Sequence, residues 1–238
     1  MFPHTLAPAS IIYLTSIALV LPLLAYMGKR RLDAGLRIPK IPFYTEAVIL
    51  QAGLLAWSLW IARRENFSIL AKTTPRLSDA LVTLLFLALA LCAMWISFTR
   101  SERSSRDRLS QIVPFTPRER AIWLGVSAVA GVAEEVIYRG VLFRFLLGLS
   151  ESFWISTLVA ATLFAFAHVV QGWKSALFVA VFAVGFHLLV RYTGSLYWAM
   201  AAHFLYDVVA GLLLGSVLKR PAQGPLQLDP SAAEHSRI

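Results

Sequence analysis

Seven stretches of this chain are almost free of charge, and each approaches the twenty or so apolar residues that a helix needs to cross a bilayer. They fall at about 10–27, 44–62, 79–98, 120–138, 152–170, 174–191 and 195–216. None shows the strict polar–apolar alternation of strands in a lipid-facing barrel. In lipid, helices satisfy their own backbone hydrogen bonds, so the pattern predicts an all-α fold. The expected architecture is a polytopic membrane helical bundle with about seven transmembrane helices. Only Arg191–Gly194 separates the last two stretches, which predicts antiparallel neighbours.

The polar connections subdivide the chain. The longest, 100–120, collects Ser101, Ser104 and Ser105 with several arginines, and it can hold a short surface helix. It ends in Thr116-Pro117-Arg118-Glu119, which reads as a helix start with proline in the first turn. Residues 1–115 form an N-terminal three-helix membrane region without a recognisable motif. Residues 116–216 form a four-helix core that holds every candidate catalytic residue. Residues 217–238, rich in Pro, Gln, Ala and Ser, are expected to form a disordered tail.

Composition supports the membrane reading. Of 238 residues, 58% are hydrophobic and 15% are charged, whereas a soluble domain carries about a quarter charged. The net charge of +9 is spread between the apolar runs. It therefore reads as a set of topology signals and lipid-headgroup contacts, not as a basic face for nucleic acid. No Lys or Arg precedes Ile11, so the first run is expected to be a retained helix and not a cleaved leader. Counting Lys and Arg favours an N-out, C-in orientation, with fifteen basic residues inside against seven outside. The single cysteine, Cys92, excludes an intrachain disulfide and a cysteine-based zinc site, and is expected to be a packed small hydrophobe.

Against this background a few ionisable side chains stand out. A charge at the centre of a membrane helix costs roughly 2.5–3.5 kcal/mol on insertion scales. Yet Glu134 and Glu135 fall in the fourth stretch, His168 in the fifth, and His203 with Asp207 in the seventh. Several such groups on three spans point to a shared polar cavity. Residues four apart share a helix face, so Glu135 pairs with Arg139 and the two enter the membrane nearly neutral. Glu134 lies about 100° round and has no built-in cation, which suits a general base acting on water. The plainer reading of these glutamates is an interhelical ion pair at the membrane edge. His168 shares a face with Phe164, and as a lone histidine near a helix end it also reads as interfacial. His203 and Asp207, four apart, act either as imidazole and orienting carboxylate or as two groups facing one cavity. His187, without an acidic neighbour on its helix, reads as a packing residue, and His4 and His235 carry no signal.

Two histidines and a carboxylate form a familiar zinc set, with Glu134, His168 and His203 as ligands and a water in the open position. The same groups also work without metal: Glu134 and His168 activate water while His203 and Asp207 stabilise the oxyanion. Spacing alone leaves both schemes open. No His-Glu-x-x-His motif, phosphate-cradling glycine loop or serine elbow occurs.

In this order the residues resemble the CPBP family of intramembrane proteases, also called the CAAX protease and bacteriocin-processing family. Its Glu-Glu-x-x-x-Arg motif matches Glu134, Glu135 and Arg139. Its Phe-x-x-x-His motif matches Phe164 and His168, and its His-x-x-x-Asn/Asp motif matches His203 and Asp207. The eukaryotic prenyl-protein endoproteases of the family usually carry Asn where this chain has Asp207. The resemblance spans roughly residues 116–216. It implies an intramembrane endopeptidase acting on a membrane-associated protein or peptide, with Glu134, His168, His203 and Asp207 catalytic and Glu135, Arg139 and Phe164 supporting. Members are commonly described as metalloproteases, which makes Zn²⁺ the expected cofactor if there is one. The expected location is a bacterial inner (plasma) membrane, with the lipid bilayer as partner, and no sequence feature specifies an oligomeric state. The family's prenyl proteases open their site to the cytosol, whereas the charge count directs the fourth helix outward and Glu134 toward the outer half. A fourth helix that runs on through Arg144 leaves Glu134 near mid-depth. A non-proteolytic immunity or scaffolding protein of the same fold is the alternative reading. A proton-coupled transporter is disfavoured, since no repeated halves or paired broken helices occur.

Overall fold

The computed structural model describes residues 7–69 and 74–218, so the expected disorder of the tail beyond Leu218 and the readings of His4 and His235 lie outside the described residues. Among these the chain is helical throughout, as the pattern predicts. The helices are α1 (Pro8–Asp33), α2 (Lys40–Arg64), α3 (Leu77–Thr99), α4 (Arg103–Ile112), α5 (Pro117–Ser150), α6 (Phe153–Ala167), α7 (Trp173–Thr193) and α8 (Leu196–Val217). Six of them are long and apolar enough to cross a membrane. Their outward faces present Leu, Ile and Trp side chains, among them Leu19, Ile49, Leu89 and Leu177. An outer surface of that kind is at home only in lipid, and the chain is an integral, multi-pass membrane protein.

Two helices differ from the expected spans. The fourth stretch does not stop near residue 138. Thr116 caps α5 by accepting from the Glu119 amide, and Glu119 reaches back to the Thr116 amide, with Pro117 in the first turn. From that start α5 runs 34 residues, roughly 50 Å at the usual rise, and places Glu134 near its middle. Its segment Glu135–Leu142 is π-helical, a widened form that recurs at functional sites.

The fifth stretch is shorter than a span. Helix α6 has 15 residues, roughly 22 Å, against an apolar thickness of about 30 Å. It ends because the His168 ring Nδ1–H donates to the Phe164 carbonyl at 2.8 Å. That carbonyl would otherwise take the backbone amide four residues on, and the His168 amide turns to Ala165 O instead, at 3.0 Å. A 3-10 turn, Val169–Gln171, follows, and Gly172 at φ 104° starts α7.

Packing centres on α5. It lies against α2 on one side and α8 on another, and its π-helical segment touches α6 and α7. The largest buried cluster joins Tyr13 and Ile17 of α1, Ile61 of α2, Ile137, Val141 and Phe145 of α5, and Phe164 of α6. The closest approach of α5 and α8 requires a glycine. A Cβ at Gly131 would stand 2.9 Å from the Phe204 backbone nitrogen, so small-residue packing brings the two backbones together. Helices α7 and α8 follow one another through Gly194 at φ 67°, with Ser195 as N-cap, and they pack as neighbours. Cys92 departs from expectation: it is exposed on α3, facing the lipid side and not the core.

Candidate active site

The structure brings the motif residues of α5, α6 and α8 to one place. Glu135 is fully buried and Arg139 almost so. Arg139 Nη1 donates to Glu135 Oε1 at 3.2 Å, as the four-residue spacing predicts. The same Oε1 takes the His203 Nδ1–H at 2.7 Å. Glu135 therefore neutralises the guanidinium and fixes the His203 ring, leaving His203 Nε2 to face the other groups.

Those groups surround one carboxylate. Glu134 Oε2 lies 3.7 Å from His168 Nε2 and 3.7 Å from His203 Nε2. Asp207 Oδ2 is also 3.7 Å from His203 Nε2. Such separations exceed a direct hydrogen bond, but one water can reach both atoms of such a pair. Glu134 Oε2 is buried and has no hydrogen-bond partner among the described residues. Its sister oxygen Oε1 accepts from Gln51 Nε2 of α2 at 2.7 Å. Gln51 was not marked by any motif, and its partnership with Glu134 is set by the packing of α2 against α5.

The tautomer of His168 follows from its partner. A carbonyl only accepts, so Nδ1 carries the hydrogen toward Phe164 O, and the lone pair of Nε2 in the neutral ring faces Glu134. Aromatic rings fix the arrangement. Phe164 lies 4.3 Å from the His168 ring, and Phe186 lies 5.3 Å from the His203 ring. Arg139 sits between the two phenylalanines, 4.5 Å from Phe164 and 5.0 Å from Phe186, within the range of a cation–π contact. Phe164 also lies 6.3 Å from the His203 ring, edge to face, and so contacts His168, Arg139 and His203. Trp123 of α5 donates to the Asp207 carbonyl at 2.9 Å, which ties this turn of α8 to α5.

The groups around Glu134 open onto a cavity of about 700 Å³. Glu134, His168, His203 and Asp207 line it together with Phe43, Tyr44, Phe178 and Phe182. Arg100, Ser101, Ser105 and Lys174 also line it. These residues lie in the connection after α3, in α4 and at the start of α7, so the cavity reaches the face that carries the first, third and fifth connections. Glu102, on the same face, is held below the usual carboxylate range by its hydrogen bond to the Lys174 ammonium. His187 makes none of these contacts; it is buried and packed 5.0 Å from the Phe143 ring.

Imidazole nitrogens with carboxylates suit zinc in kind. As placed, however, no three His, Cys, Asp or Glu side chains among the described residues stand at metal-ligand spacing.

Comparison with known proteins agrees with the motifs. No curated protein and no solved structure matches the chain. Residues 116–209, which contain Glu134, Glu135, Arg139, His168, His203 and Asp207, match the family model described as Rce1-like, type II CAAX prenyl endopeptidase Rce1-like, in line with the CPBP resemblance of the three motifs.

Proposed function

We propose that this protein is an intramembrane endopeptidase that hydrolyses a peptide bond of a membrane-associated protein or peptide. One observation carries the reading. The buried Glu134 Oε2 has no hydrogen-bond partner among the described residues, and two imidazole nitrogens face it, each one water's reach away.

A water bound between Glu134 Oε2 and His168 Nε2 gives up its proton as it attacks the scissile carbonyl carbon. Glu134 receives that proton and later delivers it to the leaving amine. His203, oriented by Glu135, donates from Nε2 in its protonated form to the carbonyl oxygen as negative charge develops there. Asp207 orients His203 from the cavity side. Gln51 holds Glu134 through the oxygen that takes no part in proton transfer. The apolar cavity walls receive a lipid-embedded or lipid-associated chain, and the family description points to substrates of the CAAX type.

The test is cleavage of a membrane-proximal peptide by protein reconstituted in liposomes. A positioned general base contributes about 10²–10⁴-fold, so Glu134→Gln and Glu134→Ala should each lower kcat by at least about 100-fold while the protein remains folded. Full activity in either variant would sink the proposal. Phenotypic rescue by Glu134→Ala in cells would favour the non-proteolytic reading instead.

A further inference from the structure

A second cavity, of about 280 Å³, lies behind the site on the opposite face. Arg139, Arg144, Arg191, His187, Gly194 and Leu196 help to line it. These residues come from α5, the end of α7 and the start of α8, so it lies at the end of the bundle that carries the second, fourth and sixth connections.

Several of its polar atoms lack a hydrogen-bond partner among the described residues. Arg139 Nε and Nη2 are buried with no hydrogen-bond acceptor, and so is His187 Nε2. Arg139 and His187 are each about 3% exposed. Arg139 shares Glu135, but Arg144 and Arg191 have no acidic partner among the described residues. Arg144 Nη2 donates only to the Ser68 carbonyl, at 3.2 Å, and Arg191 lies over the Phe153 ring at 4.2 Å. Three guanidinium groups around one semi-enclosed cavity with a single carboxylate between them call for an anion. The start of α8, capped by Ser195, adds the positive end of a 22-residue helix.

The surroundings indicate the source of that anion. Trp154, Tyr192 and Tyr197, sequence neighbours of residues that line the cavity, are each more than half exposed. Exposed Trp and Tyr at helix ends mark the headgroup level of a bilayer, and basic pockets between membrane helices at that level take lipid headgroups. We propose that this cavity binds the phosphate of an anionic phospholipid, held between Arg139, Arg144 and Arg191. The site shares Arg139 with the proposed cleavage site, so its readout is binding and thermal stability, not proteolysis.

The test compares the protein in nanodiscs of phosphatidylcholine alone and of phosphatidylcholine mixed with phosphatidylglycerol. The wild type should melt several degrees higher with phosphatidylglycerol. An Arg144→Gln/Arg191→Gln variant should lose that rise. An Arg63→Gln/Arg64→Gln variant, which removes the same charge from exposed positions at the same end of the bundle, should keep it. Inorganic phosphate added to phosphatidylcholine nanodiscs distinguishes the sources. A rise in the wild type that is absent in the Arg144/Arg191 variant supports the anion site with a soluble occupant. Equal behaviour of the wild type and the Arg144/Arg191 variant overturns the proposal, as does loss of the effect in the Arg63/Arg64 variant. If the Arg144/Arg191 variant does not fold, native mass spectrometry of the wild type decides. Preferential retention of phosphatidylglycerol supports the site, and equal retention of the two lipids overturns it.

Discussion

Glu134 and Glu135 are adjacent in sequence and opposite in circumstance. Glu135 spends one oxygen on Arg139 and His203 together, while Glu134 keeps one oxygen free of partners and gives the other to Gln51. The division follows from helix geometry: neighbours point about 100° apart, so only one of them faces Arg139. Gln51 deserves a test of its own, because it is the contribution of the motif-free half of the chain to the site. A hydrogen bond to a charged group is worth about 1.5–3 kcal/mol, so Gln51→Leu should lower kcat by roughly 10- to 100-fold with little change in KM. Unchanged peptide cleavage would remove Gln51 from the positioning of Glu134. Metal content is tested at the same scale. Protein stripped with a chelator should keep its activity, and loss that is restored by zinc would reassign Glu134, His168 and His203 as ligands.

At the scale of elements, helix ends and close approaches decide the geometry. The imidazole of His168 terminates its own helix by taking the Phe164 carbonyl, so the residue that ends α6 also faces Glu134. A fully spanning helix through 170 would have carried His168 past this point. The α5–α8 contact depends in the same way on Gly131, one turn before Glu135 and packed against the backbone beside His203. Gly131→Ala should separate the two helices and stretch the Glu135–His203 bond. The expected effects are a loss of about 1–3 kcal/mol of stability, read as a lower Tm in detergent, and a fall in cleavage rate. A variant that keeps both Tm and rate would show that α8 shifts freely against α5.

At the scale of the whole molecule, the two faces of the bundle differ. The large cavity leads to the face of the first, third and fifth connections, where the charge count places the cytosol. The basic cavity lies at the other end. The length of α5 reconciles these, since Glu134 sits near the middle of a helix that continues to Ser150. In a Cys92→Ser background, Ser104→Cys should react with a membrane-impermeant thiol reagent only from the inside, and Glu151→Cys only from the outside. Both positions are exposed. The reverse pattern would invert the orientation and with it the side from which substrate enters.

The sequence alone determined the class of the fold and the candidates for chemistry. Long uncharged runs force helices in lipid, and ionisable groups within such runs are too costly to stand without a shared cavity. Spacing also determined the Glu135–Arg139 pair, because residues four apart are neighbours on any helix. Tertiary structure decided what local pattern cannot encode. The early end of α6, the reach of α5 to Ser150, the union of Gln51 with Glu134 and the His203–Glu135 bond all depend on how separate helices meet. A period of 3.6 residues says which face a side chain occupies, but not which helix that face will meet. Helix geometry sets the two adjacent carboxylates on different faces, and the closing of α2, α6 and α8 around them supplies the partners that decide what each one does.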